Sequence, residues 1–308
     1  MDRFRLGLVL HPTRDASPVV GTIVAWAAQH HAALAVREQD RHRVPEAVRG
    51  VPEDELASGS DMLIAIGGDG TMLGALRMAV RDPKPVLGVH LGKLGFLVEV
   101  EPPELPAALA RLLTGEYTLE AHSCLACTVC GDDVVAFNDI ALVRHPGQGF
   151  VSATLSVDGQ QYGYYRCDAV VVCTPTGSTA YSYAAGGPLI SPATRAVVVT
   201  PSAPAAGISR SVVLAPEETV RLDLRPGSGP VSVEVDGRVI RNRSTTGAVE
   251  VHYRHDAGLV VRLDPRRHQE RNQLKLGLLD LPLLPEQLRE LLPESLRRQL
   301  GRREEPRR

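Results

Sequence analysis

Aromatic side chains are scarce: four Phe, seven Tyr and one Trp make up 4% of the 308 residues, so the core has to be built from Val, Leu, Ile and Ala. Lysine is scarcer still. Only Lys84, Lys93 and Lys275 stand among 34 basic residues, which face 36 acidic ones for a formal net charge of −2. So balanced a chain offers no electrostatic reason to bind nucleic acid or an anionic membrane surface. No apolar run approaches the roughly 18–20 residues that a bilayer crossing requires. Residues 1–5 lead into a short apolar stretch without a signal-cleavage pattern, and a cytoplasmic protein is expected. The five cysteines are an odd number, which argues against a disulfide framework in a chain long enough to build its own core. Cys124, Cys127 and Cys130 form a CxxCxxC run with an iron–sulfur flavour. The fourth ligand of that pattern is missing at Val134, and on a strand the odd spacing turns Cys127 away from Cys124 and Cys130. Small half-buried strand residues are the preferred reading, and no metal site is expected.

What is present is the balance of a globular protein, with 44% apolar and 23% charged residues, and a length that suits two domains. Residues 4–10, 62–66 and 85–89 are short continuous apolar runs, separated by helical patterns over 17–33, 71–80 and 103–113. Apolar strands alternating with helices predict a doubly wound α/β domain whose parallel sheet is covered on both faces. From about residue 114 the pattern changes to strands, at 119–129, 134–143, 152–157, 169–173, 196–200, 211–215, 219–224, 231–235, 248–253 and 259–263. Asp158-Gly159 and Asp236-Gly237 read as tight turns between some of them. The expected division is an α/β nucleotide-binding domain over 1–113, a β-rich substrate domain over 114–270, and a tail over 271–308. The Leu-rich part of that tail reads as a helix able to pack on the first domain or on a partner subunit.

Three segments carry chemistry. In Ile66-Gly67-Gly68-Asp69-Gly70-Thr71 a glycine turn joins a buried strand to a helix, so backbone amides can approach an anion. A carboxylate inside such a turn would repel a phosphate. Asp69 makes better sense as a base beside a hydroxyl that attacks a phosphoryl group, against the simpler role of helix cap. The turn is neither a Walker loop nor GxGxxG. In Thr174-Pro175-Thr176-Gly177-Ser178-Thr179-Ala180-Tyr181-Ser182, five Ser and Thr hydroxyls fall within nine residues at a strand end, suited to sugar hydroxyls or phosphates. Asn138-Asp139 can grip a ribose diol or an adenine edge, though turns use the same pair.

GGDGT with Met72-Leu73, then Leu91-Gly92-Lys93-Leu94-Gly95-Phe96-Leu97, then Asn138-Asp139, Arg166-Cys167-Asp168, TPTGSTAYS and Gly186-Gly187-Pro188 together resemble the NAD kinase family. The likeness extends over about residues 60–240. It implies an α/β domain followed by a β-rich one, with the active site in the cleft between them. The implied reaction is ATP-dependent phosphorylation of the 2′-hydroxyl of the adenosine ribose of NAD. Carried over residue by residue, Asp69 is the implied catalytic base, with Gly67, Gly68 and Gly70 beside it. Asn138 and Asp139 would bind the dinucleotide. Arg166, Asp168, Thr179, Ala180, Tyr181, Ser182, Tyr183 and Ala184 would contact substrate or nucleotide, as would Ala203 and Arg238. Mg²⁺ is expected to come with ATP, and family members are homo-oligomers, so a homodimer or homotetramer is expected.

His90, Ala184, Ala205 and Ser211 depart from the family pattern, and all are expected around the acceptor. A kinase of the same family acting on another nucleoside or nucleotide is therefore the leading alternative. A lipid kinase sharing the GGDG turn is disfavoured by TPTGSTAYS and by the lack of an apolar or basic membrane face in the sequence. A non-catalytic dinucleotide-binding regulator is the third reading. ATP and polyphosphate are both compatible with the turn as donors.

Overall fold

The computed structural model describes residues 3–92, 95–129, 131–244 and 247–278. Cys130, the centre of the LGKLGFL run at 93–94, and the helix expected after 282 lie outside the described residues. The chain divides into two compact units, Met1–Leu263 and Asp264–Arg308.

In the first unit the elements run β1 (Arg5–Leu10), α1 (Ser17–His30), β2 (Ala33–Arg37), β3 (Arg49–Val51), α2 (Glu53–Ser58), β4 (Met62–Gly67), α3 (Asp69–Ala79), β5 (Pro85–His90) and α4 (Leu105–Thr114). There follow β6 (Thr118–Val129), β7 (Asp132–Ala136), β8 (Asp139–Arg144), β9 (Val151–Val157), β10 (Gln160–Cys167), β11 (Ala169–Cys173) and the short α5 (Tyr181–Ala184). The last are β12 (Val197–Ser202), β13 (Ala206–Gly207), β14 (Val212–Leu214), β15 (Val220–Leu224), β16 (Val231–Val235), β17 (Arg238–Ser244) and β18 (Ala248–Arg262). The second unit contributes α6 (Pro265–Leu278).

β5, β4, β1, β2 and β3 lie side by side and parallel. Every residue of β4 is buried, because both faces of the sheet are covered. Leu8, Leu10, Ile64, Ile66, Leu87 and Val89 pack with Val20, Ile23, Leu105 and Leu109 of α1 and α4. Leu63, Ala65 and Val86 meet Met72, Ala75 and Leu76 of α3 and Leu56 of α2. The continuous apolar runs thus mean what they were expected to mean, a doubly covered parallel sheet.

The β-rich part holds a six-stranded antiparallel sheet in the order β14-β12-β11-β8-β16-β17. Its other strands extend the first sheet. β18 pairs with β15 through Val251 and Val220, with β5 through Leu259 and Pro85, and with β6 along most of its length. The runs 248–253 and 259–263, expected as separate strands, are therefore one strand. Its register shifts between Arg254 and Gly258, where polar residues interrupt the apolar pattern. Gly258 has no room for a side chain, since a Cβ there would stand 2.7 Å from the Phe137 ring and 2.9 Å from Leu76.

Other differences have local causes. The helix expected to reach residue 33 stops at His30, with His31 left-handed at φ 54°, which frees Ala33 to start β2. The first five residues of β10 are all exposed or half-buried, so it gives no apolar signal to read. The run 134–143 is split into β7 and β8 at Phe137-Asn138, where the candidate site begins. Asp158-Gly159 and Asp236-Gly237 are both tight hairpin turns, with positive φ at all four residues.

Candidate functional site

Gly67 ends β4 beside His90, the last residue of β5, at the carboxyl edge of the parallel sheet. This is the edge at which open α/β sheets bind ligands. A side chain at Gly67 would collide with that of Thr71, so the first glycine is required by packing. Gly68 and Gly70 differ: a Cβ on either would have no neighbour within 4 Å. The fold does not need these two glycines, and what they leave is bare backbone at the start of α3. Gly68 C=O accepts the Thr71 and Met72 amides at 3.0 and 3.1 Å, while the Asp69 and Gly70 amides ahead of them have no acceptor within the helix. Such a terminus favours an anion.

Asp69, the first residue of α3, turns its side chain back to the loop after β5. One carboxylate oxygen accepts the Phe96 amide at 2.7 Å and the other the Leu97 amide at 2.9 Å. Gly95 is what lets the loop come so close, since a Cβ there would overlap the carboxylate. Each oxygen keeps a further lone pair for another donor, so the held carboxylate can still receive a hydroxyl. Asp69 is thus no simple helix cap; its partners lie after the neighbouring strand β5, in the Leu91–Leu97 run that carried part of the resemblance without a role of its own.

Cationic groups stand at the same edge, and these too were missed. The Arg14 guanidinium donates to Leu91 C=O, and the Leu91 amide donates to Gly67 C=O at 2.9 Å. Arg43 donates to His11 and Arg14 carbonyls at 2.8 and 3.0 Å. Burial, with the charges of Arg14 and Arg43, depresses the His11 imidazole below its ordinary value. By contrast, a cavity of about 610 Å³ lined by Arg3, Arg5, Arg49, Ser58 and Ser60 lies at the opposite, amino edge of these strands.

Asn138 and Asp139 are held by a residue read from sequence only as a turn. The Asp236 carboxylate accepts the backbone amides of Phe137 at 3.3 Å, Asn138 at 2.7 Å and Asp139 at 3.3 Å. It also pairs with Arg77 of α3, and so joins the glycine-turn helix to the Asn-Asp pair. Asp139 is 3% exposed. Burial first, then the Asp236 charge and more weakly Glu234, push its carboxyl up to about 7, against a backbone hydrogen bond from Tyr181.

The Thr174–Ser182 run is anchored on the same turn. The Thr174 amide donates to Asn138 C=O at 2.9 Å and its hydroxyl to Phe137 C=O at 2.7 Å. Gly177 packs so tightly on the Asn138 carbonyl that no side chain fits. Of the five hydroxyls, those of Thr174, Ser178 and Ser182 are buried and bonded inside the protein: Ser178 to Pro175 C=O at 2.7 Å, and Ser182 with Thr200 at 2.9 Å. They shape the loop, and Thr176 and Thr179 are the partly exposed ones. Ala180 precedes α5, Tyr183 lies half-buried in it, and Ala184 is exposed at its end.

Tyr181 links this loop to further expected contacts. Its phenol is raised by burial and then by the charges of the Glu234, Asp139 and Asp168 carboxylates. Asp168 is also paired with Arg144 at 2.6 Å. Arg166 lies exposed on β10, over the Phe150 ring at 4.6 Å. Its carbonyl accepts the Ala205 amide at 2.8 Å, just beyond Ala203. At φ 47°, Ala203 is the one non-polar side chain among the described non-glycine residues of positive φ, a conformation that costs on the order of 1–2 kcal/mol and marks a constrained loop. Arg238 is exposed on β17, directly after the Asp236-Gly237 turn.

Cys124 and Cys127 sit in different apolar clusters, on opposite faces of β6 as their spacing implied. Burial pushes their thiols up to about 11 and 12, the environment of inert core cysteines.

Residues 6–117 match the model of the ATP-NAD kinase N-terminal domain, and 137–263 that of the ATP-NAD kinase C-terminal domain. The chain is 33% identical to NAD kinase 1 of Streptomyces avermitilis, covering 90% of this chain and 88% of the relative. In fold it is similar to yeast NADH kinase complexed with NADH, with a TM-score of 0.77 and 22% identity over 92% of this chain and 90% of that one. An NAD kinase from Archaeoglobus fulgidus in complex with ATP has a TM-score of 0.70 and 21% identity, over 89% and 99% of the two chains.

Proposed function

This chain belongs to the NAD kinase family, and we propose that it transfers the γ-phosphoryl group of ATP to the 2′-hydroxyl of the adenosine ribose of NAD, with Asp69 as the base. The observation that carries this reading is the Asp69 carboxylate, held by the Phe96 and Leu97 amides beside the bare backbone of Gly68 and Gly70. The 2′-oxygen attacks the γ-phosphorus, its proton passes to Asp69, and the bond to the bridging oxygen breaks to release ADP. Phosphoryl transfer needs placement and charge compensation more than covalent chemistry. The start of α3 and Arg14 supply both at the phosphates. Mg²⁺ enters as part of the MgATP substrate and adds charge there. Asn138 and Asp139, fixed by Asp236, face the dinucleotide, together with Tyr181 and its neighbours from Thr179 to Ala184. Arg166, Asp168, Ala203 and Arg238 complete the substrate contacts. This divides the work between an α/β part over 1–113 and a β-rich part over 114–270. The buried free thiols among the described residues suit a reducing compartment, and we place the enzyme in the cytoplasm as a homodimer or homotetramer.

The test is incubation with MgATP and NAD, with NADP detected by an NADP-specific dehydrogenase, beside Asp69→Asn. NADP formed by the wild type and reduced about 10²–10⁴-fold in the variant is the expected result. Undiminished turnover by Asp69→Asn overturns the base. A phosphorylated product from a nucleoside panel but not from NAD overturns the acceptor.

A further inference from the structure

Arg262, near the end of β18, is 2% exposed and far along the chain from the glycine turn. Its Nε donates to Glu120 at 2.6 Å, and one terminal nitrogen donates to Leu97 C=O at 2.8 Å and lies 3.5 Å from Glu99. Glu99 in turn accepts the Leu263 amide at 2.7 Å, and Glu120 stands 2.7 Å from His122. The other end of this chain of contacts is the Leu97 amide, which donates to Asp69 at 2.9 Å.

A buried cation is an expensive way to fill space. Taking a guanidinium out of water costs several kcal/mol, and an apolar residue of similar volume is often as stable or more so. What an apolar side chain cannot do is hold a carbonyl. Residues 95–99 belong to no helix or strand, so no ladder of hydrogen bonds fixes the peptides that hold Asp69. The segment is pinned downstream, where the Glu99 and Val100 amides donate to Gly88 C=O at 3.2 and 3.0 Å. Beyond that point toward Asp69, the Arg262 bond to Leu97 is the anchor that the described residues provide from β18. Leu97 is therefore gripped on one side by a strand of the extended sheet and grips the carboxylate on the other.

We propose that Arg262 is a positioning residue for Asp69: through Leu97 it fixes the carboxylate against the reacting hydroxyl without touching substrate. This rests on Asp69 being the base. Misplacement by about 1 Å can cost on the order of 10²-fold in rate. Arg262→Met is accordingly expected to lower kcat about 10- to 100-fold, while KM for NAD and for MgATP stays within about threefold. Arg262→Lys, which can still reach the Leu97 carbonyl, should recover part of that loss.

The decisive measurement is the double variant. In an Asp69→Asn background, Arg262→Met should leave the residual rate unchanged, because nothing remains to be positioned. Equal losses in both backgrounds would mean a structural role only and overturn the proposal, as would an unchanged kcat in Arg262→Met. If Arg262→Met does not fold, Glu120→Gln, on a half-exposed side chain, loosens the same anchor. A kcat lower by about 2- to 5-fold at constant KM supports the proposal, and an unaltered kcat overturns it. Full turnover by Asp69→Asn would remove the base reading itself. An inactive Asp69→Asn beside a fully active Arg262→Met would remove only the role of Arg262.

Discussion

Replacing Asp139 by Asn should remove a cost that grows with pH. In the folded protein burial, Asp236 and Glu234 push this carboxyl up to about 7, from an ordinary 3.8. Below about pH 4 both folded and unfolded chains hold the proton, and the group contributes nothing to pH dependence. Between there and about pH 7 the folded protein keeps a proton that the unfolded chain has lost, so stability falls as pH rises. Above pH 7 the full cost of burying the ionised form is present. Each unit in this window is worth about 1.4 kcal/mol, so from pH 5 to pH 8 the wild type should lose about 2–3 kcal/mol relative to Asp139→Asn. Groups common to both proteins cancel in that difference. Urea unfolding at pH 5, 6.5 and 8 measures it directly, and thermal unfolding should show a gap in Tm that widens by about 3–6 °C for a chain of this size. A difference that stays constant across pH would refute the reasoning, because it would mean that Asp139 is ionised throughout.

The glycines of the turn should separate into two kinds. Gly70→Ala should keep or raise stability by about 0.5–1 kcal/mol, as for any exposed helical glycine, yet lower turnover about tenfold or more; Gly67→Ala should lower Tm, since its Cβ would overlap the buried Thr71 side chain. Arg77→Met leaves the Asp236 carboxylate buried without its cation and should cost about 3–5 kcal/mol in urea unfolding. Arg14→Ala should raise KM for MgATP about tenfold, the value of a charged hydrogen bond, with KM for NAD little changed; equal effects on both substrates would move Arg14 away from the phosphates.

Periodicity made β1, β4 and β5 of the parallel sheet readable, because a strand buried on both faces has to be apolar throughout, whereas the half-buried β2 and short β3 went unread. β10 and β13 escaped for the opposite reason: strands that face solvent carry no such mark. The site was legible as a set of segments. Asp69, Asn138-Asp139 and the Thr174–Ser182 run stand out because glycine, carboxylate and hydroxyl are costly or useless in a plain core. Their division of labour was not legible. Composition made all the hydroxyls of the run equivalent, whereas the structure buries Thr174, Ser178 and Ser182 inside the loop and leaves Thr176 and Thr179 nearer the surface.

By itself the sequence determined where strands meet helices, which glycines interrupt them and which residue types can do phosphoryl chemistry, since these depend on neighbours along the chain. Tertiary structure alone decided what holds those residues in place. Asp236 reaches Asn138 from 98 positions away, Leu97 reaches Asp69 from 28, and Arg262 reaches Leu97 from 165. Hydrogen bonds and ion pairs depend on distance in space, and strands remote in sequence close those separations: β16 on β8 beside Asp236, β4 on β5 beside Asp69, and β18 on β5 and β6 beside Arg262.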